Sequence, residues 1–393
     1  MPSRISSPTA TALPISLLAA AGFLTSAGAR VIDPLLAVIA DDFATTIPAV
    51  SIVVAAYTLP YGLCQIGIGP LGDRIGKLRV VLWAMAAFAV ATAACALAGG
   101  VATLALLRVA AGAASAAVIP LSMAYIADAV PYSERQVTIS RFLNGVVLAS
   151  LLAGPVGGIF GEFIGWRGMF LALAALGALV AIAMRRRIAR LPDRSGTAAF
   201  SLANYLVLAR QGPARRLLLC GVLNGTLLMG SFPFLAPYMH EAFGLPHWRV
   251  GLVLAAFGVG ALAYTRTVRR IIPVLGEPGC VLLGGALMAA ALTAGMFAPS
   301  WWLLIPVEVV MGFGFYSLHG VMQARATELL PQARATAVSS FAFTLFLGQS
   351  LGALLIATLI AWLGYVGAFL IDAAAIAVFT VYLRGLVRRP TGA

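Results

Sequence analysis

Residues 69–79 read Gly69-Pro70-Leu71-Gly72-Asp73-Arg74-Ile75-Gly76-Lys77-Leu78-Arg79, a very short connection in which glycines suited to a tight turn surround one acid and three bases. The stretches on either side, 48–69 and 80–98, are almost free of charge. Each is close to the roughly 20 apolar residues that an α-helix needs to cross a bilayer. A basic loop between two such stretches is what membrane topology alone would place there.

The pattern recurs along the chain. Apolar runs at 13–40, 48–69, 80–98, 102–127, 137–164, 168–184, 217–239, 249–265, 280–298, 302–329, 336–363 and 365–386 predict about twelve membrane spans. Of the 393 residues 61% are hydrophobic and only 10% charged, and the mean hydropathy of +0.99 lies far above that of soluble domains. Lipid is therefore the main solvent. A net charge of +13 would suggest nucleic-acid binding in a soluble protein, so the position of the charges has to decide. With a cytoplasmic N-terminus, all 26 basic residues except Arg30, Arg108, Arg167 and Arg249 fall in cytoplasmic tails, loops and helix ends. That is the positive-inside bias of a multi-pass inner-membrane protein with both termini cytoplasmic, and it leaves no role for nucleic acid.

The longest polar stretch, 185–216, holds a basic run, a turn-like segment at 191–196 and a short amphipathic piece near Leu202 to Leu208. It divides the chain into a six-span bundle at 1–184, a cytoplasmic linker at 185–216 and a second six-span bundle at 217–393. A constant offset of 200 residues supports the division: Phe43 matches Phe243, Ala55-Ala56-Tyr57 matches Ala255-Ala256-Phe257, and Gly112 matches Gly312. Two parallel repeats related by an axis along the membrane normal describe a transporter whose site lies near the midplane between the halves. The expected fold is an all-α membrane protein of twelve transmembrane helices in two pseudo-symmetric six-helix bundles.

The sequence lacks a nucleophile–base constellation and a nucleotide-binding lysine loop, which argues against an enzyme and leaves gradients as the energy source. The four cysteines lack metal-ligand spacing, so neither a metal nor another cofactor is expected. Charges inside spans are costly and mark function. Asp33 in span one and Arg108 in span four lie at similar depths from the same surface, about 12 and 10 Å by the helical rise, and are expected to pair. Arg30, one turn from Asp33, offers a local alternative partner. Glu308 occupies the repeat position of Arg108, opposite it across the pseudo-twofold axis, where the two are expected to pair and close the periplasmic side; left unpaired, a buried carboxylate there can carry a proton. Asp372, in span twelve, is expected to be structural.

Polar and aromatic residues at cavity depth in the first half are Arg30, Tyr57, Tyr61, Gln65 and Asn144; in the second they are Asn224, Phe234, Tyr316, His319, Gln323 and Gln349. Such a mixture suits an amphipathic or lipophilic small molecule better than a highly charged one.

The 69–79 run resembles, at nearly every position, the loop motif G-x-L-x-D-R-x-G-R/K-x-R/K of the major facilitator superfamily, through Gly69, Asp73, Arg74, Gly76, Lys77 and Arg79. Arg108 with Gly112 resembles the R-x-x-x-G core of a second motif of that family. Gly154-Pro155-Val156-Gly157-Gly158 resembles its G-P-x-G-G antiporter signature, which there marks exporters more than importers. The resemblance extends over essentially the whole chain. It implies the major facilitator fold, a role for Asp73 as a cytoplasmic latch between the halves in the outward-facing state, and membership of the twelve-helix drug/proton antiporter branch. Efflux by alternating access with protons as the coupling ion follows as the expectation, with multidrug resistance as its biological setting and a monomer as the working unit. A proton symporter importing an organic acid or sugar is the alternative.

Overall fold

The computed structural model of the chain describes residues 14–189, 202–330 and 334–388; the turn expected at 191–196 lies outside them. Every regular element among the described residues is helical. Eight apolar stretches give one span each: span 1 (Ile15–Asp42), span 2 (Ile47–Gly69), span 3 (Lys77–Cys95), span 4 (Val101–Ala129), span 5 (Arg141–Phe163), span 6 (Trp166–Ile188), span 7 (Gly212–Phe243) and span 10 (Trp301–Ala326). Two more, His247–Met296 and Thr336–Val387, are 50 and 52 residues long. At 1.5 Å per residue each is about 75 Å, more than twice the roughly 30 Å of a hydrocarbon core. Each bends at a glycine with positive φ, Gly276 (63°) and Gly364 (69°). Span 8 (247–275), span 9 (277–296), span 11 (336–363) and span 12 (365–387) result, so the expected twelve are present.

Three local expectations change. Span 7 starts at Gly212, not 217, and span 6 continues to Ile188, because basic side chains on a helix end cost nothing outside the bilayer. Between them the amphipathic piece is a helix, Leu202–Arg210. The 69–79 run is not a glycine-rich loop: the span 2 helix runs on to Ile75, and only Gly76 (φ 100°) makes the turn. Gly72 instead lets span 4 approach, since a Cβ there would collide with Leu121.

The repeat is visible in the backbone. The positive-φ residues among the described ones fall into three pairs at offsets of 200 or 199: Ala44 with Gly244, Gly76 with Gly276, Gly165 with Gly364. Gly112 packs on the Tyr57 carbonyl and Gly312 packs on the Phe257 carbonyl, the same contact in each bundle. The first helix of each half also breaks at a proline-bearing 3-10 turn, Asp33–Leu35 in span 1 and Phe232–Phe234 in span 7.

The halves meet along two seams, span 5 against span 8 and span 2 against span 11. The antiporter-like run governs the first seam. A Cβ on Gly154 would lie 2.8 Å from the Gly251 carbonyl oxygen of span 8, and one on Gly158 would strike the His247 backbone. Gly157 faces the other way, onto Val31 and Pro34 at the break in span 1. Small residues thus let span 5 sit close to both neighbours at once. On span 8, Gly251 and Gly258 face span 5, whereas Gly260 faces Val309 and Phe313 of span 10.

The seams close at the end away from the basic loops. There His247 N–H donates to Glu162 Oε2 at 2.9 Å. Leu151 touches Gly258, yet Asn144, two turns nearer the basic end on the same face of span 5, is exposed. The halves therefore part toward the basic end. In span 2 and span 11, Thr58 and Ser350 share a 2.7 Å hydrogen bond and Tyr61 packs edge-on against Phe346. The linker helix ties this seam further along, its Tyr205 hydroxyl donating to the Ile66 carbonyl at 3.0 Å and lying 3.5 Å from Ser339 Oγ.

Replacing Gly251 with Val should hold the closed end apart, because the new side chain meets span 5 backbone, not a flexible side chain. In a cysteine-free background, a thiol at position 150 should then react several-fold faster with a membrane-impermeant maleimide added on the side opposite the basic loops. Unchanged labelling would show that this seam does not set closure.

Candidate functional site

Span 1 cannot remain a regular helix past Arg30, because Pro34 has no N–H to return to the Arg30 carbonyl. The 3-10 turn that follows points Asp33 into the join between the halves, 3% exposed. Arg30 Nη1 lies 3.6 Å from Asp33 Oδ2. Arg30 Nη2 reaches Met229 Sδ of span 7 at 2.7 Å, and the guanidinium stands 5.0 Å from the Phe232 ring centroid. Neither Arg30 Nη1 nor Asp33 Oδ1 has a hydrogen-bond partner. Both groups border a cavity of about 50 Å³ whose other walls are Ser150, Ala153 and Gly154 of span 5, Met229 and Phe232 of span 7, Leu254 and Phe257 of span 8, and Phe315 and Tyr316 of span 10. One charged pair with unused hydrogen-bonding capacity thus faces four aromatic rings across the join. An amphipathic guest can lie on the rings while a polar group meets the pair.

Arg108 is not in that cavity and does not form the expected pair with Asp33. It is buried in the first bundle, where Nη1 donates to the Gly28 carbonyl at 2.7 Å, Nε to the Val53 carbonyl at 3.3 Å, and the guanidinium lies 4.2 Å from the Tyr57 centroid. Equal depth did not bring the two together, because the azimuth of each helix decides which neighbour a side chain meets. Arg30, the local alternative, is the partner of Asp33. Tyr57 completes the Arg108 cluster, its hydroxyl 2.9 Å from the Thr25 carbonyl and 2.6 Å from Ser115 Oγ.

Glu308 is likewise buried in its own bundle, so the expected approach to Arg108 does not occur. It borders a separate small apolar cavity with Leu235, Tyr238 and Met239 of span 7 and Leu292, Gly295 and Met296 of span 9. Its Oε2 has no partner.

The remaining candidates scatter. Tyr61 lies in the span 2–span 11 seam beside Gln65. Asn224 Nδ2 and His319 Nδ1 are 3.0 Å apart, with the imidazole stacked between Phe315 and Phe341 inside the second bundle. Phe234 and Gln349 are buried outside the cavity wall. Asn144 and Gln323 are exposed where the halves part. In the loop, Lys77 Nζ lies 3.4 Å from Asp73 Oδ1 and also bonds Asp128 of span 4, while Arg74 and Arg79 are exposed. The other half carries the corresponding clamp with its charges exchanged, Arg325 Nε donating to Glu277 Oε2 at 2.7 Å.

Of the cavity wall, Arg30, Asp33, Gly154 and Tyr316 are among the candidates the sequence offers. Met229, Leu254 and Ser150 carry no signal beyond being ordinary span residues. Phe257 did carry one, as the repeat mate of Tyr57.

Changing Arg108 to Lys should destabilise the first bundle, because an ammonium cannot span both carbonyls and stack on Tyr57. A buried carbonyl left without its donor costs about 1–3 kcal/mol. Thermal unfolding of the purified protein in detergent should show a lower midpoint; an unchanged one would mean the two bonds are replaceable.

A family model described as Major Facilitator Superfamily matches residues 18–277 and 217–393. The uncharacterized MFS-type transporter YceJ of Bacillus subtilis is 26% identical over 331 residues, 84% of this chain and 85% of that one. The tetracenomycin C resistance and export protein of Streptomyces glaucescens is 32% identical over 176 residues, 42% of this chain and 32% of that one. Among solved structures, a bacterial homolog of the human lysosomal transporter Spinster, in an inward-facing and unoccupied conformation, superposes with a TM-score of 0.76 at 18% identity, covering 95% of this chain and 94% of that one.

Proposed function

The chain belongs to the Major Facilitator Superfamily, and from that premise we propose that it exports a small amphipathic or lipophilic organic compound across a bacterial-type inner membrane in exchange for protons. It is a multi-pass membrane transporter and not an enzyme. The observation that carries the rest is the Arg30–Asp33 pair, set in an aromatic wall at the join of the two halves with hydrogen-bonding capacity unused on both partners.

The basic end is the cytoplasmic one, with both termini on that side. The halves then part toward the cytoplasm, and a guest enters from there onto Phe232, Phe257, Phe315 and Tyr316. Rocking about the two seams opens the far side, where a proton taken up by Asp33 removes the charge facing Arg30 and releases the guest. The membrane potential adds about 2.3 kcal/mol per charge per 100 mV when net charge moves. In this conformation Asp73 is held within its own half by Lys77, which supports a latch that engages only when the cytoplasmic side closes. The G-P-x-G-G run at the span 5–span 8 seam and the relative named for resistance and export support the outward direction. A specific feature also favours the alternative of symport: Arg30 Nη1, ion-paired with Asp33 but without a hydrogen-bond partner, could hold the carboxylate of an imported organic acid.

The purified protein in proteoliposomes under an imposed proton gradient, offered a panel of lipophilic cations, organic acids and sugars, separates these. Proton movement opposite to the substrate is expected, and movement in the same direction would replace export by symport. Asp33→Asn should keep substrate binding within a few-fold but lose all dependence of transport on the gradient. Full gradient-driven transport by that variant would remove Asp33 from the coupling role.

A further inference from the structure

The second bundle holds an acid that the transport scheme above does not use. Asp372 lies in the middle of span 12, 2% exposed, and its Oδ2 has no hydrogen-bond partner. The polar group beside it is the hydroxyl of Ser231 in span 7. Ser231 sits at a damaged place in its helix, between a π-helical turn, Gly225–Met229, and the 3-10 turn Phe232–Phe234, where Pro233 removes a backbone N–H. Its hydroxyl donates back into its own helix beside the break, with Oγ 2.7 Å from the Leu227 carbonyl and 3.1 Å from that of Leu228.

A serine hydroxyl has a single proton to donate. With that proton directed at the span 7 backbone, Ser231 Oγ can only accept from Asp372, and a carboxylate has nothing to donate. We propose that Asp372 is a membrane-buried proton-binding site, occupied in this conformation, whose carboxylic acid donates to Ser231 and thereby fixes the break in span 7. When the proton leaves, the carboxylate draws the Ser231 hydroxyl to itself and frees the Leu227 and Leu228 carbonyls. The segment that then rearranges carries Met229 and Phe232, two walls of the central cavity. A proton on the far side of span 7 is in this way linked to the shape of the substrate site.

Among the described residues no cation forms an ion pair with Asp372. Span 9 from 278 to 296 and span 11 from 335 to 363 contain no Asp, Glu, Lys, Arg or His. Where span 7 meets span 12 nearer the closed end, the titratable groups are Tyr238, Glu241 and Tyr365, and Tyr365 donates to Glu241 at 3.1 Å. The ionisable residues of span 7 nearer the basic end are Arg215, Arg216 and Cys220, about three or more turns from Ser231. Span 10 contributes Glu308, which faces the Leu235–Met239 stretch of span 7 in its own cavity, and His319, which meets Asn224 of span 7 about two turns from Ser231. On span 12 itself the charged residue is Arg384, about three turns away.

The proposal deepens the proton-coupled reading but does not share its site, so the two are tested apart. Infrared difference spectra of the reconstituted protein without substrate, taken at acid, neutral and alkaline pH, report protonated carboxyl groups directly. In a Glu308→Gln background, which removes the other buried carboxyl of this bundle, a carboxylic acid carbonyl band should be present at neutral pH, persist when Asp33→Asn is added, vanish when Asp372→Asn is added, and move to higher frequency with Ser231→Ala, which keeps the acid and removes its acceptor. Backbone hydrogen exchange of residues 225–235, corrected for intrinsic rates, should speed up several-fold from neutral to alkaline pH in the parent. It should become independent of pH in Asp372→Asn, whose amide donates to Ser231 at every pH. A band that survives Asp372→Asn, or a pH response of 225–235 that survives it, overturns the proposal. Wild-type transport by Asp33→Asn with the Asp372 results intact overturns only the coupling role of Asp33.

Discussion

A bilayer offers no water to a broken helix, so each backbone group released by a break inside a span has to be satisfied by the protein itself. The structure depends on how that constraint is met at two places. Span 1 and span 7 both break at a proline-bearing 3-10 turn near mid-membrane, and both breaks lie against the central cavity. In the first bundle Arg108 reaches across from span 4 to the Gly28 carbonyl just before the break and to Val53 in span 2. In the second, Ser231 donates to the carbonyls of Leu227 and Leu228 within the same helix. The broken segments are what turn Asp33, Met229 and Phe232 toward the join; regular helices would carry those side chains elsewhere.

The same constraint explains the small residues at the seams. Each half must bury its broken first helix against a continuous partner, and span 5 does this for span 1 through Gly157 while presenting Gly154 and Gly158 to span 8. Alternating glycines on one helix let it touch its own bundle and the opposite one with backbone-level closeness. A seam built this way can slide or part without rearranging large side chains, because few are interlocked in it. The span 2–span 11 seam is made differently, from a Thr58–Ser350 hydrogen bond and the Tyr61–Phe346 ring contact, and the linker helix crosses it through Tyr205.

The membrane spans were legible in the sequence because hydrophobic length is a one-dimensional property. So was the repeat, whose residue matches at an offset of 200 reappear as paired backbone conformations, Gly76 with Gly276 and Gly165 with Gly364 within a residue of that offset. Azimuth was not legible. Counting residues places Asp33 and Arg108 at one depth but does not say that Arg108 turns into its own bundle while Arg30 turns to Asp33. Glu308 failed as a partner of Arg108 for the same reason: a pseudo-twofold axis relates their positions, and both point away from it into separate cores. Phe234 and His319 were selected for chemistry suited to a cavity, yet the 3-10 turn and the Phe315–His319–Phe341 stack hold them inside the second bundle. The loop run was legible as a motif and misleading as geometry, since of its glycines only Gly76 turns the chain.

The two repairs differ in a way that pseudo-symmetry alone does not require. A guanidinium stays charged under any condition a cell meets, so the Arg108 repair of the first bundle is permanent. A serine hydroxyl beside a carboxyl group makes the repair of the second bundle depend on where one proton sits. Similar breaks thus give one half a fixed wall beside Asp33 and, on the proposal made above, the other a wall that can be reset from behind through Asp372. Rocking between two rigid halves needs only hinges, but tying the direction of rocking to a proton needs at least one half whose resting shape changes when the proton arrives. The chemical difference between Arg108 and Ser231 supplies that asymmetry, and the loops repeat it on the surface, where Lys77 with Asp128 in one half answers Glu277 with Arg325 in the other.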